Sequence, residues 1–150
     1  MEPAAGALAR QPASPPGVHF TAIALDRVVF FDMQPGAPRP PSLKFVFSIS
    51  RSPADPSLDV TLALRIEPVG EAETNFGLEA AMTAHFERVE GPNVISIEDF
   101  AKVNGPALIV PYLRELVTNL TARSRHGPII FPTVNVHALV AHEMRAIVGG

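Results

Sequence analysis

Residues 59–67 alternate between large apolar side chains and smaller or charged ones, and this alternation constrains the fold more than any other feature. The large apolar positions are Val60, Leu62, Leu64 and Ile66. A period of two places the two sets on opposite faces of a β-strand. The chain must therefore build a sheet with one apolar face and one wetter face, as antiparallel sheets commonly do.

Three further segments predict strands around this one. Residues 18–31 are rich in β-branched and aromatic residues, and we expect this strand to bend near Asp26 and Arg27. Residues 44–50 predict a second strand. Residues 76–89 contain helix formers, so local propensity leaves strand or helix open, but their position after three strands favours a strand.

Helical spacing replaces the strand pattern after these segments. Ser96 to Asp99 has the form of a small capping box, and Asn104-Gly105-Pro106 predicts the start of a helix with an apolar stripe. Gly127-Pro128 should end it, and a second helix is predicted from about Asn135 to Val148. The order predicts an α+β fold, a four-stranded antiparallel sheet with two C-terminal helices on one face.

Proline is concentrated in the first part of the chain, with ten of the 16 prolines at or before Pro56. Residues 1–17 combine proline with alanine and glycine and predict a flexible N-terminal tail, which leaves residues 18–150 as the folded domain. Proline cannot donate to a sheet ladder, so the connection from Pro35 to Pro41 should run outside the sheet.

Composition excludes several classes of protein. A formal net charge of −3 argues against a nucleic-acid binder, and the absence of cysteine excludes disulfides and thiol chemistry. The chain has no apolar run long enough for a membrane helix and no secretory signal pattern, so we expect a cytoplasmic protein without membrane insertion. The charge is also asymmetric, because residues 1–99 sum to −6 and residues 100–150 to +3.

The sequence offers little catalytic chemistry. It has no GxSxG, P-loop or GxGxxG motif. His142-Glu143 resembles the start of HExxH, but the second histidine position is Ala146. We therefore predict no enzyme, no metal and no cofactor, with a small metal-dependent enzyme using His137, His142 and Glu143 as the remaining alternative.

Phenylalanine is abundant, and the strand phenylalanines have two interpretations. Core packing is the simpler interpretation for any one of them. The other is a second apolar face for self-association or for holding partner chains. On this second interpretation four strand residues are candidates for a client-binding groove: Phe30, Phe31, Phe45 and Phe47.

Two stretches in the second half resemble the SecB family of protein-export chaperones. Residues 105–116 read GPALIVPYLREL, similar to the family's P-x-x-L-F-P-Y-x-R-E helix start. Residues 131–139 read FPTVNVHAL, similar to its P-V-N-F-D-A-L entrance to the last helix. The combination is more specific than either stretch, and with the order of strands the resemblance spans roughly residues 18–145.

The resemblance implies a function that the residues alone do not. SecB-like proteins are ATP-independent chaperones (holdases) that bind unfolded preproteins, assemble as homotetramers (dimers of dimers) and pass clients to the SecA translocation motor. Some SecB-like relatives instead protect the antitoxin of a toxin–antitoxin system, which is the alternative for this chain.

The resemblance also assigns site residues. Tyr112 matches a tyrosine near the family's client groove, and Val136 and Val140 stand at positions that are often aromatic. Glu79 matches an acidic strand position implicated in docking of the SecA motor, and Asp32 matches another acid at the end of the first strand.

Overall fold

The computed structural model describes residues 17–33, 42–54, 56–70, 76–92, 95–125, 127–141 and 144–149. The predicted tail up to residue 16 and the connection from Pro35 to Pro41 lie outside these ranges. The elements in chain order are β1 (Gly17–Asp32), β2 (Ser42–Ala54), β3 (Ser57–Pro68), β4 (Phe76–Val89), α1 (Ile97–Ala122), α2 (Val136–Ala141) and β5 (Met144–Gly149).

The strands form one antiparallel sheet in the order β1-β4-β3-β2-β5. The four predicted strands and their antiparallel pairing are confirmed, and the ambiguous segment Phe76–Val89 is a strand in the middle of the sheet. Its helix formers are overridden by pairing on both sides, with β1 and with β3.

The alternation in β3 sorts its residues as predicted. Val60, Leu62, Leu64 and Ile66 are buried on the face that α1 covers, here called the inner face. The residues between them lie on the opposite, outer face, which carries Asp59, Arg65 and Glu67 of this strand. At about 25 cal/mol per Å² of buried apolar surface, this one-sided core drives the packing of helix on sheet.

Two irregularities bend β1 against β4. The register shifts between Phe20 and Ala22 and again between Leu25 and Arg27, so Thr21 and Asp26 are extra residues in the ladder. A bulge increases the local twist of a strand. The bend predicted near Asp26 and Arg27 therefore corresponds to a register shift at that place.

Helix α1 begins earlier than predicted. Ser96 is its N-cap, with its Oγ accepting a hydrogen bond from the backbone N–H of Asp99 at 3.2 Å, as the capping pattern indicates. The predicted start at residues 104–106 is wrong, because Pro106 and Pro111 both lie inside the helix. Gly105 is buried there, and a Cβ on it would lie 3.3 Å from Val60 Cγ2. Close packing on the sheet outweighs the local tendency of glycine and proline to end a helix.

The predicted second helix is wrong in its second half. It ends at Ala141, and Met144–Gly149 form β5, which pairs antiparallel with Ser42–Phe47 of β2. The end of α1 also comes earlier than predicted, at Ala122 rather than at Gly127-Pro128. In the described part of the chain, neither helix is both long and apolar enough to cross a bilayer.

Candidate functional site

Three phenylalanine rings meet where β2 passes beneath the segment between the helices. Phe45 and Phe47 stack with centroids 6.4 Å apart, and Phe131 meets them edge-on at 6.0 and 5.6 Å. The Arg114 guanidinium lies over the Phe131 ring, 5.5 Å from its centroid. We call Phe45, Phe47 and Phe131 the aromatic corner. It is apolar inside and has a cation on its rim.

The connecting segment is fixed to the end of α1 by one buried hydroxyl. Thr121 Oγ1 accepts a hydrogen bond from the Ile129 backbone N–H at 2.8 Å and donates to the Val117 carbonyl at 2.6 Å. Ile129 is buried, Ile130 is 72% exposed and Phe131 is 8% exposed. The segment therefore places one large apolar side chain in solvent directly beside the aromatic corner.

A second apolar surface lies between the edge strand and the helix. Leu25 and Val28 lie on the inner face, opposite Met82 and Ala80, yet they are exposed. Tyr112 of α1 is 41% exposed, with its ring 6.1 Å from that of Phe20. Leu116 and Leu120 line an open cleft of about 310 Å³ beside it. We call Leu25, Val28, Tyr112, Leu116 and Leu120 the β1–α1 surface.

The outer face is polar and carries paired charges. Arg27 Nη2 lies 3.0 Å from Glu79 Oε2, and Glu67 bonds both Lys44 at 2.9 Å and Arg65 at 3.1 Å. The hydrogen bond from Lys44 holds the pKa of Glu67 below its ordinary value. An open cleft of about 410 Å³ lies here, lined in part by Arg27, Arg65 and Glu79. Both arginines are held in ion pairs, Arg27 with Glu79 and Arg65 with Glu67, so each charge of this lining has an opposite charge beside it.

A histidine joins two acids farther along the same face. Asp59 Oδ1 lies 2.6 Å from His85 Nδ1, and Glu87 Oε1 lies 3.4 Å from its Nε2. The hydrogen bond with Asp59 is the main reason why the pKa of His85 is raised, with a smaller contribution from Glu87. Each ring nitrogen faces a carboxylate, which favours the protonated imidazolium.

The predicted groove residues fall in several places. Phe45 and Phe47 are fully buried in the aromatic corner. Val136 is half-buried at the start of α2, the helix that contains Val140 and packs on α1 and β2. These four residues therefore belong to one side of the sheet, the β2 side.

The remaining predicted groove residues lie elsewhere. Phe30 packs edge-on against Phe76 on the inner face, with centroids 6.0 Å apart. Phe31 lies on the outer face over Gly77, where a Cβ would stand 2.8 Å from Phe31 Cζ. Tyr112 belongs to the β1–α1 surface. One strand thus places consecutive phenylalanines on opposite faces, as its period of two requires.

The two predicted docking acids are not equivalent. Glu79 lies on the outer face in its ion pair with Arg27. Asp32 is half-buried at the end of β1, in register with Phe76 of the inner face. The two acids therefore do not form a single acidic patch.

The metal alternative finds no support in the described residues. No group of three or more potential ligands occurs among them. His137 is exposed in α2, and His142 and Glu143 lie outside the described residues.

Sequence reasoning did not assign Phe131, Ile130 and Arg114 to the site. Residues 128–132 form an apolar segment bounded by Pro128 and Pro132, which was the available signal. Local pattern alone does not show that Ile130 faces solvent while Phe131 packs on β2, because the course of this segment depends on tertiary contacts such as the hydrogen bond from Ile129 N–H to the Thr121 hydroxyl.

A family model described as Preprotein translocase subunit SecB matches residues 34–146. An uncharacterized protein of Methanocaldococcus jannaschii is 31% identical over 65 residues, which are 43% of this chain and 41% of the archaeal protein. That match therefore spans less than half of the relative's length.

One solved structure is similar in fold. A SecB-like chaperone of Mycobacterium tuberculosis, in complex with a ChAD peptide from the HigA1 antitoxin, superposes with a TM-score of 0.60 and 20% identity. The alignment covers 79% of this chain and 91% of that one. This likeness shows a shared SecB-like chaperone fold.

Proposed function

The chain belongs to the SecB family, and on that premise we propose that it is an ATP-independent holdase that binds extended, apolar segments of non-native polypeptides. The observation that carries the proposal is Ile130, a large apolar side chain that is 72% exposed and lies beside the buried rings of the aromatic corner. Apolar attraction is non-directional, so such a site accepts many sequences.

The energy available at such a site is sufficient for holding a client. At about 25 cal/mol per Å², a few hundred Å² of buried client surface gives several kcal/mol before the costs of ordering the client. Arg114 at the rim adds a cation that can contact backbone carbonyls or acidic side chains of a client. A nucleotide is not needed for binding of this kind.

We further propose that the client is a dedicated partner of the antitoxin type. Support comes from the solved SecB-like chaperone, which holds an antitoxin peptide in the same fold. The ion pair with Arg27 offsets the charge of Glu79, which makes this face a weak docking site for a cationic motor surface. Handover of export precursors to SecA at Glu79 and Asp32 is the second candidate.

We propose that the β1–α1 surface is covered by a second copy of the chain in a homo-oligomer, with a tetramer as the expected state. An edge strand with exposed Leu25 and Val28 beside Tyr112 combines open backbone groups with apolar side chains. Natural proteins cover or charge such edges, because exposed edges promote aggregation.

A nucleotide-free aggregation assay tests the holdase proposal. The protein should suppress light scattering by a chemically unfolded test protein at near-stoichiometric ratios, and addition of ATP should change nothing. Ile130→Asp should weaken suppression several-fold, with Ile95→Asp as a matched exposed isoleucine control away from the β2 edge. Aggregation at the rate seen without the protein would contradict the holdase function.

A pull-down separates the two candidate partner classes. A purified SecA motor and an array of peptides from antitoxins would be tested against the same immobilised chain. Retention of antitoxin peptides without SecA supports a dedicated chaperone. Retention of SecA that is lost in Glu79→Lys would support export instead.

A further inference from the structure

Strand β5 occupies a sheet edge that has the features of a peptide-binding site. It pairs antiparallel with β2 from Ser42↔Gly149 to Phe47↔Met144. In the described part of the chain, β2 continues to Ala54 with β3 as its partner, so β5 covers only the first part of that edge. Here the chain supplies its own extended segment as the outermost strand.

The same stretch of β2 carries the aromatic corner. Phe45 and Phe47 belong to the residues that β5 pairs, and both side chains are fully buried on the inner face. A segment bound to this edge therefore has backbone hydrogen bonds and an apolar aromatic cluster within one short stretch. Peptide recognition by strand addition uses this combination, with main-chain bonds for affinity and side-chain pockets for specificity.

The elements that close this edge are short. α2 has six residues, Val136–Ala141, and β5 begins three positions after it ends. A helix of this length is marginal on its own and depends on packing for its stability. By contrast, β1 pairs with β4 along its whole length, from Gly17 to Asp32. Leu139 of α2 is buried in the core, so α2 is expected to stay in place. Release of β5 alone, which pairs with β2 over the short stretch Ser42–Phe47, would cost the fold less than loss of any of the first four strands.

We propose that the β2 edge from Ser42 to Phe47 is the backbone-binding part of the client site, and that β5 is its intramolecular occupant, displaced when a client binds. The inference rests on the proposed holdase function. The client segment it fits is extended and rich in β-branched and apolar residues, as β5 itself is, with Ile147 and Val148 in the sequence Met-Arg-Ala-Ile-Val-Gly.

The tether between β5 and the rest of the chain determines how much the removal of β5 changes client affinity. Because β5 is joined to the β2 edge by a short connection, it competes with a client at a high effective concentration. The apparent affinity for the client is then the intrinsic affinity multiplied by the fraction of molecules whose β2 edge is free. With β5 docked in roughly 90–99% of molecules, removing it should raise the apparent affinity about 10- to 100-fold.

A disulfide lock tests the proposal in one polypeptide. Lys44 and Ile147 are directly opposite in the ladder, a separation that fits disulfide geometry, and the natural chain has no cysteine to compete. The variant K44C/I147C would be titrated with a fluorescent, permanently unfolded, alkylated test protein. We expect the oxidised form to bind at least tenfold more weakly than the same protein after reduction.

A second variant tests release rather than locking. Successive N–H groups of a strand point in opposite directions, so A146P/I147P removes a ladder donor whichever of the two residues provides it. It should bind the same probe about tenfold more tightly than wild type. Ile147→Ala also loses the isoleucine side chain but keeps both backbone N–H groups, so it should raise the affinity for the probe clearly less than A146P/I147P does.

The outcomes separate this inference from the holdase function. If wild type binds the probe and the oxidised lock binds it equally well, β5 does not occupy the client site and the inference is wrong. If wild type, the reduced lock and the proline variant all fail to bind, the holdase function itself is contradicted. The comparison of oxidised with reduced lock stands even if the proline variant does not fold.

Discussion

The two edges of the sheet differ in how their backbone groups and apolar side chains are covered. At one edge β1 leaves its outer backbone groups without a strand in the described structure, and exposes Leu25 and Val28 beside Tyr112 of α1. At the other edge β2 is covered by β5, and its Phe45 and Phe47 are buried. We expect a long open edge to be paired stably with another chain. An edge covered by a short segment of the same chain can instead exchange that segment for a client.

The comparison assigns different partners to the two edges. A second copy of the chain fits the β1 edge in our proposal, because that edge is long and directly continuous with the core. A client fits the β2 edge, because its present occupant is a short segment of the same chain.

The largest effect is expected from removing the central ring of the aromatic corner. Phe131→Ala deletes two edge-on aromatic contacts and the ring under Arg114, and it leaves a cavity above Phe45 and Phe47. The free energy of unfolding, measured in urea, should fall by about 3–5 kcal/mol. Ile130→Ala, a change at the exposed neighbour, should stay within about 0.5 kcal/mol. Equal losses in both variants would contradict the described packing.

The hydroxyl that fixes the connecting segment should have the next largest effect. Thr121→Val removes the acceptor for the buried Ile129 N–H and should lower the free energy of unfolding by about 1–3 kcal/mol. Thr121→Ser keeps the hydroxyl and should lower the free energy of unfolding by less than Thr121→Val does. If valine and serine have the same effect, the hydrogen bond does not hold this side of the sheet together.

At the open edge a single charge should weaken self-association. Val28→Lys places a cation on the β1–α1 surface, and it should raise the dissociation constant of the oligomer about tenfold or more. Light scattering across a dilution series measures it. Val29→Lys, on the outer face of the same strand, is the matched control and should leave the mass unchanged. A monomeric wild type would contradict the assignment of this edge to a second copy.

The smallest effect is expected between the edges, at His85. Asp59 and Glu87 raise its pKa in the folded state, so its stabilising contribution is present below the ordinary value of 6.5 and is lost as the pH rises through the folded pKa. The free energy of unfolding of wild type minus that of His85→Gln should fall between about pH 6 and 8. The fall should be less than about 1 kcal/mol, because the pair of His85 and Asp59 is partly exposed. A rising difference over that range would contradict the raised pKa.

Much of the sheet could be predicted from local patterns. The period of two in β3 identifies its buried face, and the place of residues 76–89 after three strands outweighs their helix formers. These features follow from alternation and order, which a single sequence contains.

The errors arose where tertiary contacts override local signals. Gly105 and Pro106 indicate a helix start, but both are buried inside α1, where the glycine allows close approach to Val60. Residues 144–149 continue a helical pattern in composition, yet they form a strand because the edge of β2 is available to pair with them.

The candidate site was predicted only in part for the same reason. Phe45, Phe47 and Val136 lie on the β2 side, whereas Phe30, Phe31 and Tyr112 lie elsewhere. Strand parity separates Phe30 from Phe31, so the sequence allowed that distinction. The role of Phe131 depends on how the connecting segment folds back over β2, which no local pattern specifies.

Hydrogen exchange with and without a client tests the division between the two edges most directly. The protein would be compared alone and saturated with the alkylated, unfolded test protein, and amide exchange would be read by mass spectrometry. We expect faster exchange in Met144–Gly149, retained protection in Ser42–Phe47 and no change in Gly17–Asp32. New protection in Gly17–Asp32 together with unchanged exchange in Met144–Gly149 would place the client at the β1 edge and contradict the assignment of the β2 edge to client binding.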